Sequence, residues 1–284
     1  MSRSRGDALL VWALRGAAAV AGAIVAIILV FVFREALPAL RDPGPMRFFT
    51  DASWHPTEGL YNLAPMLSGT VLVTLGSVLV AAPLGILSGL FCSYYAPPAA
   101  ARSYRRLIEL LAGVPSVVYG FWGLVVLVPL IARLGPPGTS LLAGVAILSL
   151  MILPTVALLA DSSLRGVPRE YVRGAAALGL TRWATVRRVV LPAARPGLFT
   201  GVFLATARAA GETMAVLMVC GNVVQTPGSG FDSVRTLTAN IALEMAYAMG
   251  GHRSALFVSG LVLMVMIVAL VAAAEAAGGG RIRV

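Results

Sequence analysis

The sequence predicts an all-α integral membrane protein with six transmembrane helices. Apolar residues make up 58% of its 284 residues, and its mean hydropathy is +0.88. Only 12% of residues are charged, about half the roughly 25% of a soluble domain. The apolar residues collect in stretches near the roughly 20 residues a helix needs to cross a bilayer. Backbone in lipid must satisfy its own hydrogen bonds, so these stretches are expected as helices.

The first stretch, 17–33, follows Arg3 and Arg5. A charged start before an apolar run also marks a secretion signal, but this run exceeds the roughly 7–15 residues of a signal core. It is expected to remain as a helix. Residues 34–65 form the longest segment outside the spans, with Trp54, His55, Pro56, Tyr61 and Asn62. Its aromatics suit anchoring at the membrane interface; contact with an external partner is the alternative.

The second stretch, 67–92, contains Gly85 and Gly89. Small residues at this spacing let helices approach closely. The third, 107–131, and the fifth, 197–224, are interrupted by Gly and Pro, and the fifth repeats the spacing at Gly197 and Gly201. The fourth covers 141–160 and the sixth 255–274, before an Ala/Gly-rich end at 272–280. The expected organisation is an N-terminal helix and external segment (1–62), a transmembrane domain (63–276) with a loop at 161–195, and a tail (277–284).

Arginine placement sets the expected orientation. The N-terminus, the region 102–106, the loop 161–195 and the C-terminus carry 2, 3, 7 and 2 arginines. The alternate segments carry six: Arg34, Arg41, Arg47, Arg133, Arg235 and Arg253. Positive residues stay inside, so both termini and the loop are expected in the cytosol, as six spans require. The net charge of +10 then reflects topology, and nucleic-acid binding is not expected.

There is no lysine, which excludes a P-loop and Schiff-base chemistry. Cys92 and Cys220 lie within or at the end of spans and read as small buried hydrophobes. His55 and His252 read as isolated loop residues outside the membrane. With no H-E-x-x-H and no base beside either Cys, neither a metal nor a catalytic residue is expected. An intramembrane enzyme is disfavoured. So is a secondary anion transporter built from repeated halves, since no internal repeat is evident.

The segment 168–192 holds five arginines. Pro168 suits a helix start, Glu170 suits the positive dipole end, and Gly179 suits a stop. Tyr171, Gly174, Ala175 and Leu178 fall on one helical face. Thr181 suits an N-cap for a second helix with Trp183, Val186 and Val190 on one face, and Pro192 closes the segment. The two faces suit either a partner groove or the membrane surface.

Residues 173–192 resemble the EAA loop of ABC-transporter permeases: Gly174, Ala175, Gly179, Val189, Leu191 and Pro192 fit. In that family the loop forms a coupling helix seated in a groove of a cytosolic ATPase. The resemblance makes Glu170, Tyr171, Arg173, Gly174, Ala175, Leu178 and Gly179 the expected coupling residues. Arg173 stands where the family usually has Glu, and Glu170 lies three residues upstream.

Arg208 and Glu212 sit inside the fifth span, four residues apart, and are expected on one helix face. A lone Arg at mid-bilayer costs roughly 2.5–3.5 kcal/mol, so intramembrane ionisable groups are functional candidates. One reading has Arg208 drawing an anion along a pathway and Glu212 holding it; the other has the pair locking helix packing. Further donors would come from Thr213, Asn222 or a second subunit. Residues 208–222 (RAAGETMAVLMVCGN), 109–120 (ELLAGVPSVVYG), 151–155 (MILPT) and 235–245 (RTLTANIALEM) resemble phosphate ABC-transporter permeases of the PstC type.

The resemblance implies a type I ABC importer permease fold, with Arg208, Glu212 and Thr213 along the substrate pathway. It implies phosphate as substrate, pairing with a PstA-type permease, a PstB-type ATPase dimer beneath and a PstS-type binding protein outside. The chain would conduct and transmit force in the inner membrane without bond chemistry. It would hold no cofactor of its own, ATP being bound by the ATPase. The nearest rival is a permease for molybdate or sulfate.

Overall fold

The structure, a computed structural model, describes residues 5–277. Arg3, Arg281, Arg283 and the expected tail beyond 277 lie outside the described residues. Among the described residues, five helices are long and apolar enough to cross a membrane: Leu9–Arg41, Ala64–Tyr95, Leu141–Arg165, Arg182–Ala210 and Gly250–Leu270. A bent pair, Pro98–Ala112 with Ser116–Ala132, supplies the sixth if counted as one broken span. The chain divides into two compact units, 1–62 with 244–262, and 63–243 with 263–284.

The first unit holds α1 (Arg5–Arg41), α2 (Arg47–Thr50) and a short hairpin. In the hairpin β1 (Trp54–His55) pairs antiparallel with β2 (Leu60–Tyr61), Trp54 opposite Tyr61. The Arg47 guanidinium bonds both Asp51 Oδ1 (3.0 Å) and the Gly59 carbonyl (2.6 Å), and Asp51 Oδ2 accepts from the Tyr61 amide at 2.9 Å. The hydrogen bond from Arg47 holds the Asp51 carboxyl below its usual range.

Residues 244–262 complete this unit. The Glu244 carboxylate accepts from Trp54 Nε1 at 2.9 Å and lies 2.8 Å from His252 Nε2. Arg253 pairs with Glu35 at 3.2 Å, and Phe31 meets Phe257 edge-on with centroids 5.7 Å apart. Two expectations change here. Trp54 is 4% exposed, so it is a core residue of the unit rather than an interface anchor. His252 stands in the last long helix and has a carboxylate partner, which no local sequence pattern discloses.

The second unit is centred on α3 (Ala64–Leu90) and α7 (Leu141–Arg165), with α4 (Pro98–Ala112), α5 (Ser116–Trp122) and α6 (Val128–Ala132) between them in sequence. Ser140 caps α7, its Oγ accepting from the Ala143 amide. A Cβ on Gly85 would lie 2.7 Å from Val156 Cβ, and one on Gly89 only 2.8 Å from the Asp161 amide nitrogen. The G-x-x-x-G face therefore packs on α7, as small-residue spacing allows. Ser77 and Ser149 sew the same seam, donating to the Val145 and Ser77 carbonyls. Val73, Ile147, Leu148, Ile152, Val156 and Val219 fill the core beside it.

The third and fifth expected spans differ from expectation. The third is two helices at 90°, because Gly113 and Pro115 end α4, and α5 then runs through a π turn (Gly123–Leu127) into α6. The fifth begins earlier. After α8 (Arg169–Ala177), α9 (Arg182–Thr185) passes through a π turn (Val186–Val190) into α10 (Leu191–Ala210) as one candidate span. Pro192 does not close the segment; it sits inside this continuous span, directly after the π turn. The chain breaks at 211–213, and α11 (Met214–Val219), α12 (Leu237–Glu244) and α13 (Gly250–Ala277) follow.

Gly85→Leu is expected to force α3 off α7 at a cost of about 1–3 kcal/mol. A fall in the thermal midpoint of detergent-solubilised protein checks this. Gly22→Ala, at a position with nothing within 4 Å, is expected to leave the midpoint unchanged.

Candidate functional site

The two broken helices meet. A Cβ on Gly120 of α5 would lie 2.8 Å from the Ala215 Cα of α11 and 2.9 Å from Met218 Sδ, so only glycine permits this approach. The stretches 109–120 and 211–216, separate in sequence, are thereby brought together. The Tyr119 hydroxyl donates to the Leu111 carbonyl at 2.9 Å, alongside the Val114 amide at 3.2 Å, and so ties α5 to the end of α4 across the bend.

Arg208 stands in the last turn of α10 and is exposed. Glu212 lies beyond the helix end, inside the break. Its Oε1 accepts from the Ala215 amide at 3.2 Å, capping α11, and its carbonyl accepts from Thr238 Oγ1 at 2.8 Å. The expected shared helix face is therefore absent, because α10 ends at Ala210. Arg208 has no acidic partner among the described residues.

Thr213 sits in the same break and donates only a long bond, 3.4 Å, to the Gly211 carbonyl. One N–H of the Asn222 side-chain amide donates to the Leu217 carbonyl at 2.7 Å. Gly221 and Asn222 both have positive φ, 86° and 56°, and reverse the chain there. Arg235 Nε then bonds the Asn222 carbonyl at 2.9 Å.

The basic loop presents a second feature. α8 ends at a glycine stop, Gly179 at φ +73°, with the Leu180 amide bonded to the Ala175 carbonyl. Thr181 caps α9 through the Ala184 amide. Tyr171, Leu178 and Trp183 are 54%, 82% and 61% exposed, and the space beside Gly174 is open. Glu170 and Arg173 are also exposed. Ala175 departs from the expected face: at 4% exposure it points into the protein. The second expected face is split, with Val186 and Val190 buried and Trp183 outside.

Sequence reasoning missed the group that anchors this loop. Asp161, near the end of α7, is 4% exposed. Its carboxylate accepts from Arg105 (2.8 and 3.1 Å) and Ser93 (2.8 Å), and Arg165 lies 2.7 Å away. The available signal was an aspartate ending an apolar run, which charge counting treats as part of the loop.

A membrane bundle whose spans include half-helices meeting through glycine, with an amphipathic loop presenting an open apolar face, defines a polytopic helical membrane protein. Residues 81–278 match the family described as the binding-protein-dependent transport system inner membrane component, and the chain belongs to that family. It is 46% identical over 228 residues to the probable ABC transporter permease protein YqgH of Bacillus subtilis, covering 78% of this chain and 74% of that one. It is 38% identical over 251 residues to the phosphate transport system permease protein PstC of Mesorhizobium japonicum, covering 80% and 76%.

Among solved structures it resembles a chain of a bacterial alginate ABC transporter, with a TM-score of 0.68 over 99% of both chains at 12% identity. The inward-facing MetNI methionine ABC transporter gives 0.57 over 76% of this chain and 92% of that one at 17% identity. The fold is that of a type I ABC importer permease.

Arg105→Gln is expected to leave the buried Asp161 carboxylate short of a charged partner, costing about 1–3 kcal/mol. A lowered thermal midpoint, with retention of the helical circular dichroism signal at low temperature, checks it.

Proposed function

We propose that this chain is the transmembrane permease subunit of an ATP-driven phosphate importer. The observation that carries the reading is its 38% identity to a PstC protein over 80% of its length. In this reading the chain pairs with a PstA-type permease, rests on a PstB-type ATPase dimer and receives phosphate from a PstS-type binding protein. ATP is bound and hydrolysed by the ATPase subunits, and this chain holds no cofactor and makes or breaks no bond. Both termini and the 161–195 loop face the cytosol, as the arginine distribution favours.

The substrate route passes Arg208, Glu212 and Thr213. A dry pore rejects a phosphate anion, so the route needs positive charge that also releases its ion. Arg208 suits that role because no carboxylate neutralises it directly, while Glu212 is committed to capping α11. Thr213 offers a hydroxyl whose only bond is long.

Coupling to the ATPase runs through Glu170, Tyr171, Arg173, Gly174, Leu178 and Gly179. Tyr171 and Leu178 supply the apolar contact, and open Gly174 lets the partner surface approach. Ala175 supports the helix from behind.

The test is ATP-dependent uptake of radiolabelled phosphate by vesicles containing this chain with its three partner subunits. Uptake is expected to require all four and to stop on ATP depletion. Uptake by this chain alone, surviving ATP depletion, overturns the reading in favour of a secondary transporter; transport of molybdate or sulfate in place of phosphate overturns the substrate. Arg208→Ala is expected to cut uptake by at least about 100-fold, in line with loss of a few kcal/mol of charge stabilisation, while the assembled complex is still recovered by affinity purification.

A further inference from the structure

A cavity of about 540 Å³ opens beside the basic loop, where the ends of the α3 and α7 spans meet α8. Its walls carry Arg165, Arg169 and Arg173, together with Ser93, Tyr94 and Val172. No acidic side chain lines it among the described residues. Arg165 reaches Asp161 at 2.7 Å, but that one carboxylate is shared with Arg105. Arg169 and Arg173 have no acidic partner among the described residues. Of the three arginines on the cavity wall, only Arg165 is paired.

Arg169 and Arg173 also stand four residues apart on α8, where like charges repel and weaken a helix. Glu170, three residues before Arg173 on the same helix, forms no ion pair with either among the described residues. The hydroxyls do not serve as recognition elements, since Ser93 donates to Asp161 and Tyr94 to the Leu164 carbonyl. Recognition falls to the arginines, whose planar forks match the oxygens of a phosphate group. The cavity lies at the level where the α3 span ends in Tyr94 and Tyr95. Aromatic residues mark the membrane–water boundary, and basic pockets there receive lipid headgroups.

We propose that this cavity binds a phosphate group, carried by an anionic lipid headgroup or present as free inorganic phosphate, at a site separate from Arg208. The inference does not depend on the transported substrate.

The test uses the full-length chain purified in a zwitterionic detergent. Dioctanoyl phosphatidylglycerol is titrated and followed by native mass spectrometry; inorganic phosphate is titrated separately as the radiolabelled ion in equilibrium dialysis. Arg169→Gln combined with Arg173→Gln is expected to weaken binding by roughly tenfold or more. Both positions are exposed, so the thermal midpoint of this variant is expected to stay unchanged and to report intact folding. Arg187→Gln combined with Arg188→Gln, and Arg208→Ala, are expected to leave binding intact. Retention of phosphatidylglycerol alone assigns the group to a lipid; retention of inorganic phosphate assigns it to the free ion. Binding of neither overturns the proposal. Equal loss in the Arg187/Arg188 variant overturns it by showing diffuse attraction, and loss of all binding in Arg208→Ala overturns it by placing the ion on the pathway.

Discussion

The close approach of α3 to α7 is the constraint on which the rest of the larger unit depends. Water does not drive helices together inside lipid, so packing of small residues and specific polar bonds must do so. Gly85 and Gly89 admit the α7 backbone where any Cβ would collide. Because α3 passes so near at Gly89, Ser93 one turn later reaches the Asp161 carboxylate. Arg105 then closes on the same carboxylate from α4. A buried charge stripped of its partners is strongly destabilising, so three elements are tied at one point. That point lies just before the chain leaves α7 for the basic loop.

The breaks in α4–α5 and α10–α11 follow a related logic. Non-helical backbone at membrane depth persists only where protein or a polar cavity satisfies it. Here the satisfaction is explicit: Tyr119 closes on Leu111, Thr238 on the Glu212 carbonyl, and Glu212 itself on the Ala215 amide. Glycine at 120 lets the second halves of the two broken segments touch. The polar residues at the break are thus held by bonds to backbone, leaving Arg208 as the charged side chain with no acidic partner.

Much of this was legible in the sequence. The span count, the G-x-x-x-G packing face, the Gly179 stop and the Thr181 cap all rest on local rules that the structure follows. The misreadings came from non-local facts. Periodicity placed Ala175 with Tyr171 and Leu178, but a small residue on a face boundary is decided by what packs behind it. Spacing placed Arg208 and Glu212 on one helix, but the turn at Gly211 separates them. Asp161 and Trp54 acquire their partners, at separations of 56 and 190 residues, through folding that no window of sequence displays.

The complete absence of lysine gives the protein's positive charge an unusual constancy. Every cation outside the two histidines and the N-terminus is a guanidinium, which stays protonated at any pH a cell meets. Arg208 is therefore a fixed charge. Burial, desolvation or a passing anion can change how strongly it attracts, but not whether it is charged.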